Sequence, residues 1–272
     1  MRPTLFALAL LFLPAGAAHA APKADLWPYW EAHDPASEAT IDHAAWAAFL
    51  ESYVVPGDDG VHRVRYGDVS PADRAALDAY LSDLAAVPIR SYARPEQMAY
   101  WINLYNALTV QVVLDHYPVD SIRDIDISPG LFSSGPWGAE LITVEGEALT
   151  LDDIEHRILR PIWRDPRVHY GVNCASIGCP DLARAPFTGA DLDAQLDQAA
   201  RAYVNHPRGV TIERDELIVS SIYDWFEADF GSSEAGVIAH LRRYAEPTLA
   251  ERLARFDAID GDRYDWRLND AR

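Results

Sequence analysis

The sequence predicts an α+β fold: a helix-rich single domain with a buried central helix and a small, mostly antiparallel sheet of short strands. Three observations lead there. Long segments with apolar residues at helical spacing are interleaved with short strand-like runs, not with the regular strand–helix alternation of a doubly wound sheet. The short runs come in pairs around turn residues, as in hairpins. And the stretch from Met98 to Leu114 is apolar almost all round, the pattern of a helix enclosed by protein. The chain has 272 residues and is 49% hydrophobic, enough to bury a core without metals or disulfides as props.

Residues 1–20 have the three parts of a secretory signal peptide. Arg2 supplies the charged start, 5–14 is a short apolar run, and Ala18-His19-Ala20 is a small-x-small cleavage site before Ala21. The run is short for a bilayer span, and no cysteine sits near the cleavage site to carry a lipid. The expectation is a periplasmic or secreted protein, cleaved after Ala20, with 21–272 as one domain.

A helix is expected over 41–53, a loop at 56–60 and a short strand over 61–66. Ser70-Pro71 reads as an N-cap followed by proline in the first turn, opening a helix to about Ala86. Arg94-Pro95-Glu96 opens the central helix, which ends near His116, before Pro118. Asn103 and Asn106 lie on one face of it. Being buried, they must be hydrogen-bonded: either they pin neighbouring loops, or Asn103 orients a catalytic group. After the Gly/Ser/Pro loop 130–138, strands at 141–144 and 147–149 turn at Gly146. A helix from Leu151 to about Arg160 is stopped by Pro161. Its apolar stripe contains Glu155, with His156 at the edge, and a carboxylate aimed at the core needs a partner, such as Arg160 or Arg167. Residues 167–172 read as a buried strand leading into Asn173-Cys174-Ala175-Ser176-Ile177-Gly178-Cys179-Pro180. A helix at 190–204, strands at 210–213 and 217–220, and helices at 224–230, 235–244 and 247–254 complete the chain.

The formal net charge is -19 and the pI about 4.7, and Lys23 is the only lysine. Such a chain repels phosphate backbones, so nucleic-acid binding is not expected. The 98–114 stretch is broken by Asn103, Asn106 and Gln111, so no membrane span is expected in the mature chain, which should be soluble. There is no Gly-rich phosphate loop, Gly-x-Ser-x-Gly elbow, His-Glu-x-x-His or calcium loop, and no cofactor is expected.

The only two cysteines, Cys174 and Cys179, admit three readings. In an oxidising compartment they would form a disulfide. Alternatively Cys174 is a nucleophilic thiolate, with His156 or His169 as base and Glu155 or Asn103 as orienter, the arrangement of thiol hydrolases. A zinc site from both cysteines with His156 and His169 is a weaker third, because Cys-x4-Cys is a poor zinc signal. His169 alone, on a strand, reads first as a hydrogen-bonded core histidine and second as a catalyst. Trp27, Trp30, Trp137 and Trp163 line a groove or close the core.

Several ordered motifs carry a resemblance. They are Tyr100-Trp101-Ile102-Asn103-Leu104-Tyr105-Asn106-Ala107, Leu151-Asp152-Asp153-Ile154-Glu155-His156 with Leu159-Arg160, and Asp165-Pro166-Arg167-Val168-His169-Tyr170. Asn173-Cys174-Ala175-Ser176 with Cys179-Pro180, Ser221-Ile222-Tyr223-Asp224-Trp225-Phe226 with Asp229-Phe230, and Tyr264-Asp265-Trp266 follow. Over roughly 90–268 the chain resembles the domain-of-unknown-function 547 family. Ile177-Gly178 is less polar than the equivalent pair in some eukaryotic relatives, which argues against a basic side chain acting there. The resemblance implies a fold and an exported bacterial branch, and no established activity or catalytic residues. Two function classes stay open. One is a thiol-dependent hydrolase or transferase using the Cys174 loop near Glu155, His156 and His169. The other is a non-enzymatic periplasmic binding or scaffold module with a structural or redox Cys174–Cys179 disulfide. The partner, whether small molecule, peptide or protein, is open in both.

Overall fold

The computed structural model describes residues 22–130 and 135–272. The expected signal segment 1–20 lies outside the described residues, as do 131–134 of the Gly/Ser/Pro loop. Helix α1 (Ala44–Tyr53) buries Trp46, Phe49, Leu50 and Tyr53. It runs into β1 (Val54–Pro56), which pairs antiparallel with β2 (His62–Val64). Helix α2 (Pro71–Ala86) starts as its cap predicts: the Ser70 hydroxyl accepts from Asp73 N and Pro71 occupies the first turn. Helix α3 (Arg94–His116) is the expected central helix, with every residue from Glu96 to Val110 buried.

Strands β3 (Ile142–Val144) and β4 (Glu147–Leu149) form the expected hairpin. Its two turn residues, Glu145 and Gly146, both have positive φ, as a tight right-twisted hairpin requires. The next segment corrects the expectation of an α-helix stopped at Pro161. Residues Asp153–Leu159 form a π-helix that continues through Pro161 into α4 (Arg160–Trp163). Proline in an α-helix clashes with the carbonyl four residues back and leaves it without a donor. Here Arg160 N bonds to Glu155 O in the wider register. The carbonyls of His156 and Arg157 are taken by Asp25 N and Trp27 N, at 2.9 and 3.0 Å. The N-terminal segment thus completes a turn that proline opens.

The expected strand at 167–172 is instead the short helix α5 (Val168–Gly171). Asp165 explains it: its side chain accepts from Arg167 N and its carbonyl from Val168 N, an N-terminal cap followed by proline. A four-residue apolar run has no period of its own to prevent this. Helix α6 (Leu192–Val204) follows. Strands β5 (Val210–Glu213) and β6 (Glu216–Ser220) pair through a turn at Arg214 and Asp215, both at positive φ. Helix α7 (Ser221–Trp225) begins earlier than expected because Ser220 caps it, and residues 226–231 are turns. Helices α8 (Glu234–Tyr244) and α9 (Pro247–Leu253) lie close to expectation. A further strand, β7 (Gly261–Arg263), adds parallel to β6. Among the described residues the short strands are divided among three small sheets.

Among the described residues two apolar clusters form the interior. One surrounds α3; the other gathers α8, β5, β6 and the end of α6. Helices α5 and α6 serve both: Val168, Leu192 and Leu196 belong to the first, Tyr170, Ala200, Tyr203 and Val204 to the second. The loop after α5 therefore emerges at the seam. Among the described residues no helix is long and apolar enough to cross a membrane.

Candidate functional site

The Cys loop is fixed from both sides. From α3, Asn106 Oδ1 accepts from Asn173 N at 2.8 Å and its amide donates to Gly171 O at 2.9 Å. Asn173 in turn donates to Pro180 O and accepts from Ala175 N, closing the base of the loop. Tyr203 on α6 donates to Gly178 O at 2.6 Å. The C-terminal tail clamps the other side: Ile177 N to Arg267 O, Gly178 N to Asp265 O and Asn269 N to Ala175 O, at 2.8, 2.8 and 3.0 Å. A Cβ at position 178 would sit 2.7 Å from Asp265 N, so only glycine allows the tail this close. Ala175, the residue after Cys174, has φ 56°, a left-handed conformation that costs a non-glycine residue roughly 1 kcal/mol or more. The bonds around it hold it there.

This clamp delivers two hydroxyls to one thiol. Cys174 is half-buried, and its Sγ lies 3.1 Å from Ser176 Oγ and 3.0 Å from Tyr264 OH, which are 2.9 Å from each other. Cys179 is buried, and its Sγ accepts the Cys174 N–H at 3.0 Å. Both cysteines are free thiols. The Cys179 thiol donates to Cys174 and favours its thiolate. Burial opposes this, the Ser176 and Tyr264 hydroxyls add to it, and the net effect lowers the Cys174 thiol from its ordinary range. Burial and the neighbouring Cys174 push the Cys179 thiol far up. The two thiols are therefore unequal: one on a half-buried residue with its thiolate favoured, one enclosed with its thiol form favoured.

A buried ionic cluster lies beside the loop. Glu155 and His156 come from the π-helix, Arg160 from α4, His169 from α5, and Asp229 from the turns after α7. Asp229 Oδ2 accepts from Arg160 Nε at 2.6 Å and is 2.7 Å from His169 Nε2. His169 Nδ1 is 3.6 Å from Glu155 Oε1, and its ring stacks on Phe226 at 4.3 Å. Burial opposes protonation of His169, but its hydrogen bonds to Asp229 and Glu155 prevail and raise it. Burial pushes the Glu155 carboxyl up, yet His156, His169 and Arg160 together hold it down at about 2. Burial acts likewise on Asp229, and His169 and Arg160 hold it at about 2. Arg160 Nη1 donates to His156 Nδ1 at 3.1 Å. When that ring is neutral its proton is on Nε2, which faces Asp152 Oδ1 at 3.6 Å. Burial, aided by Glu155, raises the Asp152 carboxyl to about 6.

The structure thus brings Glu155, His156 and His169 together, with Arg160 and Asp229. Arg167, the other arginine considered for Glu155, pairs with Asp165, Asp193 and Asp197. The hydrogen-bond partners of Cys174 are Ser176, Tyr264 and Cys179, not a histidine. Glu155 reaches the thiol only through its field, which opposes ionisation. Asn103 is elsewhere: it donates to Phe187 O, accepts from Phe187 N, and its amide faces His43 Nε2. Of the four tryptophans, Trp30 is in the core, Trp27 and Trp163 pack half-buried against it, and Trp137 meets Trp266 edge-on at 5.8 Å. A cleft of ≈ 240 Å³ lies between α1 and α2, lined by Thr40, Ile41, Asp42, Tyr80 and Tyr92 among others; none of its walls comes from the Cys loop. Among the described residues no three His, Cys, Asp or Glu side chains are arranged to hold a metal ion. Sequence reasoning missed Ser176, Tyr264 and Asp229, although all three stand in motifs it had singled out.

A helix-rich α+β fold carrying a clamped dithiol loop is the class of protein these features define. Residues 89–204 match the model of the family described as protein of unknown function, DUF547. The motifs at 221–230 and 264–266, which supply Asp229 and Tyr264, lie beyond the matched stretch. Searches of curated proteins and of solved structures found no match.

Proposed function

We propose that this is an exported thiol-dependent transferase in which Cys174 is the nucleophile. One observation carries the reading: the sulfur of half-buried Cys174 lies within 3.1 Å of two hydroxyl groups and beside a second thiol. Thiolates, not thiols, attack electrophiles, and donors around the sulfur raise the thiolate fraction. Cys174 takes the substrate's group as a covalent adduct and passes it to an acceptor. Ser176 and Tyr264, hydrogen-bonded to the sulfur, hold its charge before attack and after release.

Transfer is favoured over hydrolysis by the placement of the histidines. Activating water needs a base within hydrogen-bond reach of the reacting atoms. The ring nitrogens of His169 face Glu155 and Asp229, and those of His156 face Arg160 and Asp152. Their role in this reading is to hold α5, and hence the loop that follows it. Export rests on the leader-like pattern of residues 1–20.

The test is alkylation of the mature protein by iodoacetamide under reducing-agent-free conditions, with the modified peptides identified by mass. Cys174 should react at neutral pH much faster than an ordinary exposed thiol, with a pH–rate midpoint below about 8.5, while Cys179 stays unmodified until the protein unfolds. A Cys174 as slow as a buried thiol at neutral pH would remove the proposal.

A further inference from the structure

We propose that Cys179 is the resolving thiol of Cys174, so that the loop performs thiol–disulfide exchange through a reversible Cys174–Cys179 disulfide. The inference rests on the nucleophilic reading of Cys174 and adds a second chemical step and a substrate class, disulfides. Two geometric features carry it. The Cys179 sulfur already lies 3.0 Å from the backbone nitrogen of Cys174, with the two side chains in hydrogen-bond contact. And the loop that joins them bends back at Ala175, φ 56°, held by the tail, so no large rearrangement is needed to bring sulfur to sulfur.

The division of labour follows from exposure. Cys174 is half-buried and the more exposed of the two; Cys179, 4% exposed, is reached only from within. In the first step the Cys174 thiolate attacks one sulfur of a substrate disulfide. A mixed disulfide forms, the substrate S–S bond breaks, and the departing sulfur leaves as a thiolate. In the second, Cys179 gives its proton to that thiolate and attacks the Cys174 sulfur, releasing the second substrate sulfur as a thiolate that takes its proton from water. Two electrons pass from the cysteine pair to the substrate, which becomes two thiols, while the pair becomes a disulfide. A low-molecular-weight thiol reverses both steps and restores the dithiol. The enclosed position of Cys179 directs its attack to Cys174 alone, since exchange rates depend on access as well as on thiolate fraction.

The test uses the mature full chain, reduced and freed of reductant, with oxidised glutathione as the probe and peptide mapping as readout. The wild type should yield a Cys174–Cys179 linked peptide and no lasting glutathione adduct. Cys179→Ser should accumulate glutathione on Cys174, and Cys174→Ser should acquire none at either position. A wild type that retains glutathione on Cys174 while Cys179 stays free would overturn the resolving role and leave the nucleophile standing. No reaction at Cys174 in the wild type would defeat both. Because the wild-type mapping alone decides the matter, the conclusion does not depend on the folding of either variant.

Discussion

Glu155→Gln puts the buried cluster to a quantitative test. The substitution keeps the shape of the side chain and removes its charge. The carboxyl moves from 4.5 in the unfolded chain to about 2 in the folded one. At about 1.36 kcal/mol per pKa unit this corresponds to about 3 kcal/mol of stability at pH 7, in line with the roughly 3–5 kcal/mol lost when one partner of a buried ion pair is removed. Because the folded value is the lower one, the contribution is complete above pH 4.5 and is lost as pH falls towards 2. At pH 3 the same linkage leaves less than half of this. Urea titration followed by tryptophan fluorescence measures the difference between wild type and variant, in which acid-titrating groups remote from Glu155 cancel. With a slope of about 3 kcal/mol per molar urea, the midpoint should drop by about 1 M at pH 7 and by less than half of that at pH 3. Equal midpoints at pH 7 would refute the account of Glu155 as a charge held in place by His156, His169 and Arg160. So would a difference that does not shrink at pH 3. The same variant carries a second readout. The negative field of Glu155 opposes the Cys174 thiolate, so Glu155→Gln should lower the pH midpoint of Cys174 alkylation, most visibly at low salt.

Tyr264→Phe removes the hydroxyl 3.0 Å from the Cys174 sulfur and keeps the ring. A hydrogen bond to a charged group is worth roughly 1.5–3 kcal/mol, so the alkylation midpoint should rise by about one unit or more, read from the pH–rate profile. Asn103→Ala leaves the Phe187 N–H and carbonyl without their partner. It should destabilise the fold by about 2–3 kcal/mol in urea titration while the alkylation midpoint of Cys174 stays at its wild-type value.

How far the sequence could be read follows from how local each signal is. Helix α2 is legible because Ser70-Pro71 marks its start, and α3 because apolar residues cover its whole circumference. The run 168–171 is apolar and short, and only the side chain of Asp165 decides that it is helical. The π-helix shares the apolar stripe of an α-helix; Pro161 was its one visible signal, and it reads equally as a stop. Strand β7 is Gly-Asp-Arg, with no alternation to find, and it exists because β6 offers an open edge. The site divides in the same way. Glu155, His156, His169, Cys174 and Cys179 lie in one segment and could be grouped by eye. Tyr264 reaches Cys174 across 90 positions and Asp229 reaches His169 across 60, and no spacing announces either.

That division also bears on what the buried cluster does. His169 stands on α5, which leads directly into the Cys loop, and Asp229 with Phe226 belongs to the segment that follows α7. The cluster therefore ties together three segments that meet where the two apolar interiors join. A proton relay would need a path from His169 to the sulfur, whereas the partners of that sulfur are Ser176, Tyr264 and Cys179. Charges that are buried, mutually compensated and turned away from the reacting atom act by fixing position. On this argument the reactivity of Cys174 depends on hydroxyls carried by the loop and by the C-terminal tail. The ionic cluster supports them at one remove, through the orientation of α5.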